Sequence, residues 1–188
     1  SRLGALLYDA GDHAGAASAY AAVGGDDEEA ADAAYNRALA LTKAGREAQA
    51  AAALTSFATK FSDHDKAGWA WLTAAKSREE AGDFAGAATA YAKAKAWYPL
   101  GRLEEKRKKT KEAKAAYERL KNVSPPDDPS RLAGLLRLAL MLELEDKPRD
   151  AAPLYMEVMR RSERGGSSFE TARKRLEALT SDKSLLNR

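Results

Sequence analysis

The sequence predicts an all-α protein, a solenoid of about five helix-turn-helix units closed by a C-terminal capping helix. Alanine makes up 42 of the 188 residues and aromatic residues only 7%, which favours closely packed helices over a strand-built core. Similar segments recur at intervals of 34 and 37 residues, the range of helical repeats. Each of the first three also reads as two amphipathic helices joined by a glycine-centred turn.

The first three units place their turns at Gly11, Gly45 and Gly82. Glycine tolerates the positive φ that ends many helices, and Asp12 and Asp83 are predicted N-caps of the helices that follow. An alanine recurs five positions after each turn glycine, as Ala16, Ala50 and Ala87. A large residue recurs nine positions after it, as Tyr20, Leu54 and Tyr91. We expect the alanine where two helices cross closely, and the large residue to fill the groove against the neighbouring helix.

The third unit has the fullest set of such positions, namely Trp71, Ala74, Ala75, Gly82-Asp83-Phe84, Ala87, Tyr91, Ala94 and a closing Pro99. In order and spacing these residues resemble the tetratricopeptide repeat. The resemblance implies a right-handed superhelical solenoid whose first helices line a concave groove. It covers nearly the whole chain, and it is closer over residues 1–99, the regular units 1 to 3, than over the rest.

The later part of the chain follows the pattern with departures. Residues 126–162 form a fifth unit in which Pro148 replaces the turn glycine by starting a helix at its first position. The last helix, 167–180, is predicted to begin at Ser167, which forms a capping-box pattern with Glu170. It would cover the apolar face of the last unit.

The fourth unit, 100–125, is irregular because its first helix is too short and no glycine marks its turn. The absence of strong breakers favours one continuous helix over 103–123. The alternative is a helix pair that turns near Thr110, which could serve as an N-cap.

Composition argues against an enzyme. With no cysteine, the chain has no disulfide, Cys-ligated zinc or thiol nucleophile, and no phosphate-binding glycine loop or metalloprotease motif occurs. His13 and His64 are interpreted as solvent-exposed residues at helix starts. We therefore expect no catalytic, cofactor-binding or metal site, and the longest apolar run is too short and too charged to insert into a membrane.

Charge is unevenly distributed, with a net −4 over residues 1–94 and +7 over 95–188. The basic residues cluster at Lys106, Arg107, Lys108, Lys109, Lys111 and Lys114, called here the basic segment. No aromatic residue suited to stacking on bases lies between Tyr98 and Tyr117, so nucleic acid is not predicted as a partner. Interleaved glutamates favour a solvated helix face, and contact with an acidic partner is the alternative.

The resemblance implies that function lies in the groove lined by the first helices. In this sequence the positions that face the groove in the family are occupied by Tyr8, Asp32, Tyr35, Asn36, Leu39, Trp69, Leu72, Lys76, Leu136, Arg137 and Leu140. Family members that bind chaperone C-termini use a basic clamp, but Tyr35, Leu39 and Leu72 stand at the matching places, so chaperones are not predicted. We expect a partner protein's segment to bind here with Tyr35 and Trp69 as its anchors. The alternative is a structural spacer or oligomerisation module in which these residues contact a second copy or another domain.

A narrower resemblance lies in the stretch from Phe57 through Phe61-Ser62-Asp63 to Trp69-Ala70-Trp71-Leu72. It is similar to bacterial cell-envelope proteins that accompany outer-membrane assembly and the Tol-Pal system. The similarity implies a periplasmic scaffold.

Overall fold

The computed structural model describes residues 1–181, which form eleven α-helices, one 3₁₀ turn and no strand. The chain divides into two compact units, Ser1–Ala96 and Trp97–Arg188. The helices of the first unit are α1 (Arg2–Asp9), α2 (His13–Ala21), α3 (Glu28–Lys43), α4 (Glu47–Lys60), α5 (Ala67–Glu80) and α6 (Phe84–Lys93). The second unit contains α7 (Trp97–Lys106), α8 (Thr110–Arg119), the 3₁₀ turn Leu120–Asn122, α9 (Pro129–Leu144), α10 (Pro148–Arg161) and α11 (Ser167–Ser181).

The turns inside the helix pairs share one geometry. Gly11, Gly45 and Gly82 have φ of 84°, 70° and 81°, the left-handed conformation that glycine adopts without a steric penalty. The predicted caps are confirmed, because the carboxylates of Asp12 and Asp83 accept hydrogen bonds from main-chain N–H groups in the first turns of α2 and α6 at 2.8 and 2.9 Å.

The expectation of one continuous helix in the fourth unit is wrong. Helix α7 ends at Lys106 and α8 begins at Thr110, with Lys108 at a φ of 60°. The N–H of Lys109 donates to the carbonyl of Glu104 at 2.8 Å, the same bond that follows Gly82 in the third unit. This bond satisfies a carbonyl at the helix end and so offsets the small cost of a left-handed lysine. Thr110 is the first helical residue and Lys109 the cap.

The predicted small and large positions pack as expected within each helix pair. The alanines five residues after each turn are buried, at 0 to 4% exposure, including Ala113 and Ala151 in the second unit. Two of the aromatic residues nine after the turn, Tyr20 and Tyr117, lie over a glycine of the first helix, Gly4 and Gly101. At Gly101 the approach is closest, since an added Cβ would lie 2.3 Å from the ring of Tyr117. The repeat therefore depends on a missing side chain at this crossing.

The cores of the two units differ in composition. In Ser1–Ala96 the core consists mainly of alanine, in two clusters filled by Tyr20, Leu54 and Phe57. In the second unit leucine, tyrosine and valine side chains dominate, and α11 adds Ala172 and Leu179.

Two further expectations at the ends of elements are corrected. Pro99 does not close the third unit, because it lies in the first turn of α7, where proline is well tolerated. Helix α11 begins at Ser167 as predicted, but the N–H of Glu170 donates to the carbonyl of Gly166, and the Glu170 side chain pairs with Arg173 at 2.7 Å instead of closing a capping box. None of the helices within residues 1–181 is long and apolar enough to cross a membrane.

Candidate functional site

An aromatic pair joins the first helices of the second and third repeats. Tyr35 on α3 and Trp69 on α5 meet edge to face with their ring centroids 5.5 Å apart, and Phe57 packs on Tyr35 at 5.6 Å. Phe57 is buried, whereas Trp69 is 44% exposed. The half-buried Tyr35 thus links the exposed indole to the buried Phe57, and its edge-to-face contact favours one orientation of the indole.

A lysine outside the predicted groove completes this cluster. The ammonium of Lys66 lies 4.9 Å from the centre of the Tyr35 ring and pairs with Asp32 at 3.2 Å. The hydrogen bond to Asp32 raises the pKa of Lys66, so the side chain stays charged. Asp32, Tyr35 and Trp69 of the predicted groove are therefore brought together, and Lys66 links them.

The other predicted groove residues of the first unit are distributed along the same helices. Asn36 and Leu39 on α3 and Leu72 on α5 are half-buried, and Lys76 is exposed. Tyr8 belongs to a different contact: its ring packs on His13 at 5.0 Å.

The two tryptophans of α5 differ as predicted, with Trp69 the more exposed. Trp71 packs against the core formed with Phe57 but stays half-buried, not enclosed as expected. Six of the eight buried residues in that cluster are alanines, which are too short to close over an indole.

In the second unit the predicted residues Leu136, Arg137 and Leu140 lie half-buried on α9. Arg137 forms a two-bond ion pair with Glu105 on α7, with its Nε at 3.2 Å from the carboxylate. The same arrangement recurs one repeat later, where Arg175 on α11 pairs with a glutamate of α9, Glu143, at 3.2 Å. In both pairs the arginine follows its glutamate by 32 residues.

These two pairs surround one cavity of about 270 Å³. Its polar lining is Glu105, Arg137, Glu143 and Arg175, and its apolar lining is Leu140, Met141 and Leu144. A cavity of this size admits a side chain but not a folded element. We call it the arginine cavity.

A second regularity is a glutamate twelve residues before a tyrosine, and in two repeats the two side chains form a hydrogen bond. Tyr91 donates to Glu79 at 2.8 Å, and Tyr155 donates to Glu143 at 2.7 Å. Both tyrosines are buried, and burial followed by these hydrogen bonds raises the pKa of each well above the ordinary value.

Tyr117 breaks this rule. It is 0% exposed and stands twelve residues after Glu105, but its hydroxyl has no hydrogen-bond partner within residues 1–181. Arg137 lies near the hydroxyl, but a guanidinium has no acceptor for the hydroxyl proton, and the Glu105 carboxylate bonds Arg137 instead. Burial and the charge of Glu105 raise the pKa of Tyr117. The hydroxyl therefore stays protonated near Glu105 and Arg137, two residues of the arginine cavity, and does not donate to Glu105.

The basic segment does not form one solvated helix face, because the turn at Lys108 divides it. Lys106, Lys108, Lys109 and Lys111 are exposed. Arg107 is half-buried and bonds Glu104 at 2.8 Å, as the interleaved glutamates predicted. Lys114 bonds Glu145, the residue that follows α9, at 2.5 Å, and this bond lowers the pKa of Glu145.

The two histidines are less exposed than expected. His64 lies in the loop before α5, where its side chain is 10% exposed, packs edge-on against Phe57 at 5.3 Å and accepts a hydrogen bond from the Lys66 N–H. His13 is half-buried against Tyr8. Residues 1–181 contain no group of three or more potential metal ligands.

Comparison with known families bears directly on these helix pairs. The family model described as "Tetratricopeptide repeat" matches residues 32–64 and 95–126. These two stretches are similar to tetratricopeptide repeats. The second match includes the fourth unit, so the tetratricopeptide pattern is retained where the sequence looks irregular, with Lys108 in place of glycine.

Two solved structures share this fold. A structure of MamA matches with a TM-score of 0.53 and 17% identity, covering 95% of this chain and 97% of that one. A second MamA structure matches at 0.52 and 17%, covering 97% and 92%. A kinesin light chain of Podosopora anserina with nearly identical TPR-like repeats matches at 0.48 and 16%, covering 85% and 91%. No curated protein sequence matches significantly.

Sequence reasoning missed Lys66, Glu105, Glu143 and Arg175 as members of these clusters. Lys66 carries no signal in the repeat pattern, since it stands in a loop. The glutamates could have been found, because a glutamate precedes a tyrosine by twelve residues in three units, at Glu79, Glu105 and Glu143.

Proposed function

We propose that this chain is a protein-interaction scaffold that binds a segment of a partner protein on the first helices of its repeats. In the first unit the anchor is Trp69, held by Tyr35. The observation that carries the proposal is an indole that is 44% exposed and packs edge to face on Tyr35, which in turn packs on the buried Phe57.

The energetics of interfaces favour such a residue. Tryptophan and tyrosine dominate binding hot spots, because they bury a large area while losing little conformational entropy. The Tyr35 contact orders Trp69 before binding, so less entropy is lost when a partner covers it. The half-buried Leu39 and Leu72 extend the apolar surface along α3 and α5.

The test is a binding comparison with a matched control. Partner segments would be selected from a random peptide library with the intact chain, and their affinities measured by calorimetry. Trp69→Ala, alone and with Tyr35→Ala, should weaken binding at least about tenfold, the effect of losing a hot-spot residue. Met156→Ala truncates another exposed apolar side chain, on α10, and should change affinity less than about twofold. Equal effects of Trp69→Ala and Met156→Ala would reject the anchor.

Light scattering distinguishes a scaffold from an oligomerisation module. A chain that stays monomeric at high concentration agrees with a free surface for a partner. A dimer that dissociates on Trp69→Ala would assign the same surface to a second copy instead.

Salt dependence separates this surface from the basic segment. Apolar contacts are weakly screened, so affinity at the Trp69 surface should change little between low and physiological salt. Changing Lys106, Arg107, Lys108 and Lys109 together to Gln should also leave it unchanged. A strong salt dependence that disappears in that variant would move the binding site to the basic segment, with an acidic partner. The periplasmic location remains a prediction from the residues between Phe57 and Leu72.

A further inference from the structure

We propose that the arginine cavity of the second unit binds the side-chain carboxylate of an acidic residue in a partner segment, and that Glu105 turns to Tyr117 when it does. The inference rests on the proposed function only in that the ligand is a polypeptide segment. It depends on α7, α9 and α11, and not on Trp69.

The charge and geometry of the arginine cavity suit a carboxylate. Arg137 and Arg175 line one cavity from successive repeats, and their side chains are 43% and 50% exposed. A guanidinium offers its N–H groups as a planar fork that fits a carboxylate, so two of them around one cavity suit an acidic side chain. Arg102 adds a third positive charge near Glu105, at 3.8 Å. The charged lining of the cavity is two arginines and two glutamates, so the excess positive charge at this site comes from Arg102, which lies outside the lining.

The Tyr117 hydroxyl allows the cavity to release its internal ion pair between Arg137 and Glu105. A ligand that takes Arg137 must displace Glu105, and an abandoned carboxylate is costly. In this repeat the Tyr117 hydroxyl is already buried and without an acceptor beside that carboxylate. Glu79 and Glu143 accept hydrogen bonds from the tyrosines at the equivalent positions. Glu105 can therefore adopt the arrangement of the other repeats when a ligand carboxylate replaces it at Arg137.

The apolar lining of the cavity indicates which residues flank the bound carboxylate in the partner segment. Leu140, Met141 and Leu144 form the apolar lining, and Leu144 is 89% exposed. We therefore expect an acidic residue flanked by aliphatic residues. Burying these aliphatic side chains supplies the non-polar part of the affinity.

The experiment uses a capped nine-residue peptide with a central glutamate between two leucines, titrated into the intact chain. The peptide should bind, and its Gln analogue should bind at least about tenfold more weakly, because it lacks the charge-assisted bonds. A peptide with no glutamate and a free C-terminus tests the other carboxylate source. Binding of that peptide alone, or equal binding of the Glu and Gln peptides, would overturn the proposal.

Variants of the chain test the site itself. Arg137→Gln and Arg175→Gln should each weaken binding about tenfold, whereas Arg164→Gln removes the same charge from the loop before α11 and should change affinity less than about twofold. Arg137→Lys, which retains the charge, should recover part of the affinity. Equal losses for Arg164→Gln and Arg137→Gln would indicate non-specific attraction and reject the cavity.

The Glu105 step has its own readout. Tyr117→Phe should weaken the peptide about threefold, because displaced Glu105 then finds no donor. In the wild-type chain, NMR of tyrosine labelled at Cζ should show the Tyr117 signal move on binding, while those of Tyr91 and Tyr155 stay. A stationary Tyr117 signal together with unchanged affinity in Tyr117→Phe would refute the exchange.

Discussion

Replacing the three buried tyrosines by phenylalanine, one at a time, tests the hydrogen-bond rule of the repeats. Tyr155→Phe removes a bond of 2.7 Å to the Glu143 carboxylate. Hydrogen bonds to charged groups contribute about 1.5–3 kcal/mol to stability. Because the Glu143 side chain is 23% exposed, water can replace part of the lost bond. The expected loss is therefore at the lower end, about 1.5 kcal/mol, and Tyr91→Phe should behave alike.

Tyr117→Phe should have the opposite sign. Its hydroxyl is 0% exposed and makes no hydrogen bond among the described residues. An unsatisfied buried hydroxyl costs about 1–3 kcal/mol, so deleting it should leave stability unchanged or raise it by about 1 kcal/mol. The assay is urea unfolding followed by circular dichroism, with each transition fitted separately, since the chain has two compact units. Equal losses in all three variants would show that Tyr117 has found an acceptor.

A double-mutant cycle identifies the reason for the exception. If Arg137 holds Glu105 away from Tyr117, then Arg137→Gln should release the carboxylate to the hydroxyl. In that background Tyr117→Phe should become destabilising, by about 1 kcal/mol or more. Additive effects of the two changes would refute the competition between Arg137 and Tyr117 for Glu105.

Three further outcomes are expected. Gly101→Ala should destabilise by about 1–2 kcal/mol in chemical denaturation, because its Cβ would lie 2.3 Å from a packed ring, whereas Gly68→Ala meets no atom within 4 Å and should stabilise by about 0.5 kcal/mol. Trp71→Ala should cost about 3 kcal/mol and Trp69→Ala about 1 kcal/mol in the same assay, since only the first is packed on the core. Stability should fall as pH rises above 10.0, because the unfolded chain ionises its tyrosines there while the buried ones stay protonated. Tyr91→Phe and Tyr155→Phe should each make the loss of stability at high pH smaller, as measured by unfolding at several pH values.

The fold was largely predictable because the repeat pattern records local requirements. A turn glycine, a cap, an alanine five residues on and a large residue nine residues on are each fixed by contacts within one helix pair. The turn at Lys108 was missed for a physical reason. A left-handed lysine costs only about 1–2 kcal/mol, which a helix-ending hydrogen bond can offset, so absence of glycine does not exclude a turn.

The site was predictable in part. Tyr35 and Trp69, two of the predicted groove residues, lie in edge-to-face contact, and their role in binding stays a prediction. Lys66 and the pair of Arg175 with Glu143 were not foreseen, because they depend on how neighbouring helices are placed side by side. A period measured along the sequence does not give that placement. Their binding roles remain predictions that the variants above will decide.

Repetition allows one repeat to act as a control for another. Tyr91, Tyr117 and Tyr155 occupy one position and are all buried, so burial alone cannot explain why only Tyr117 lacks an acceptor among the described residues. The difference is Arg137, which bonds Glu105 of α7 from α9, the first helix of the following repeat. Glu143 also pairs with an arginine, Arg175, but it bonds Arg175 through one carboxylate oxygen and Tyr155 through the other. Glu105 bonds Arg137 through both oxygens, and in this orientation neither oxygen accepts a hydrogen bond from the Tyr117 hydroxyl. The departure from the repeat thus lies in the two-bond geometry of one ion pair, and a ligand that loosens that pair would restore the common arrangement.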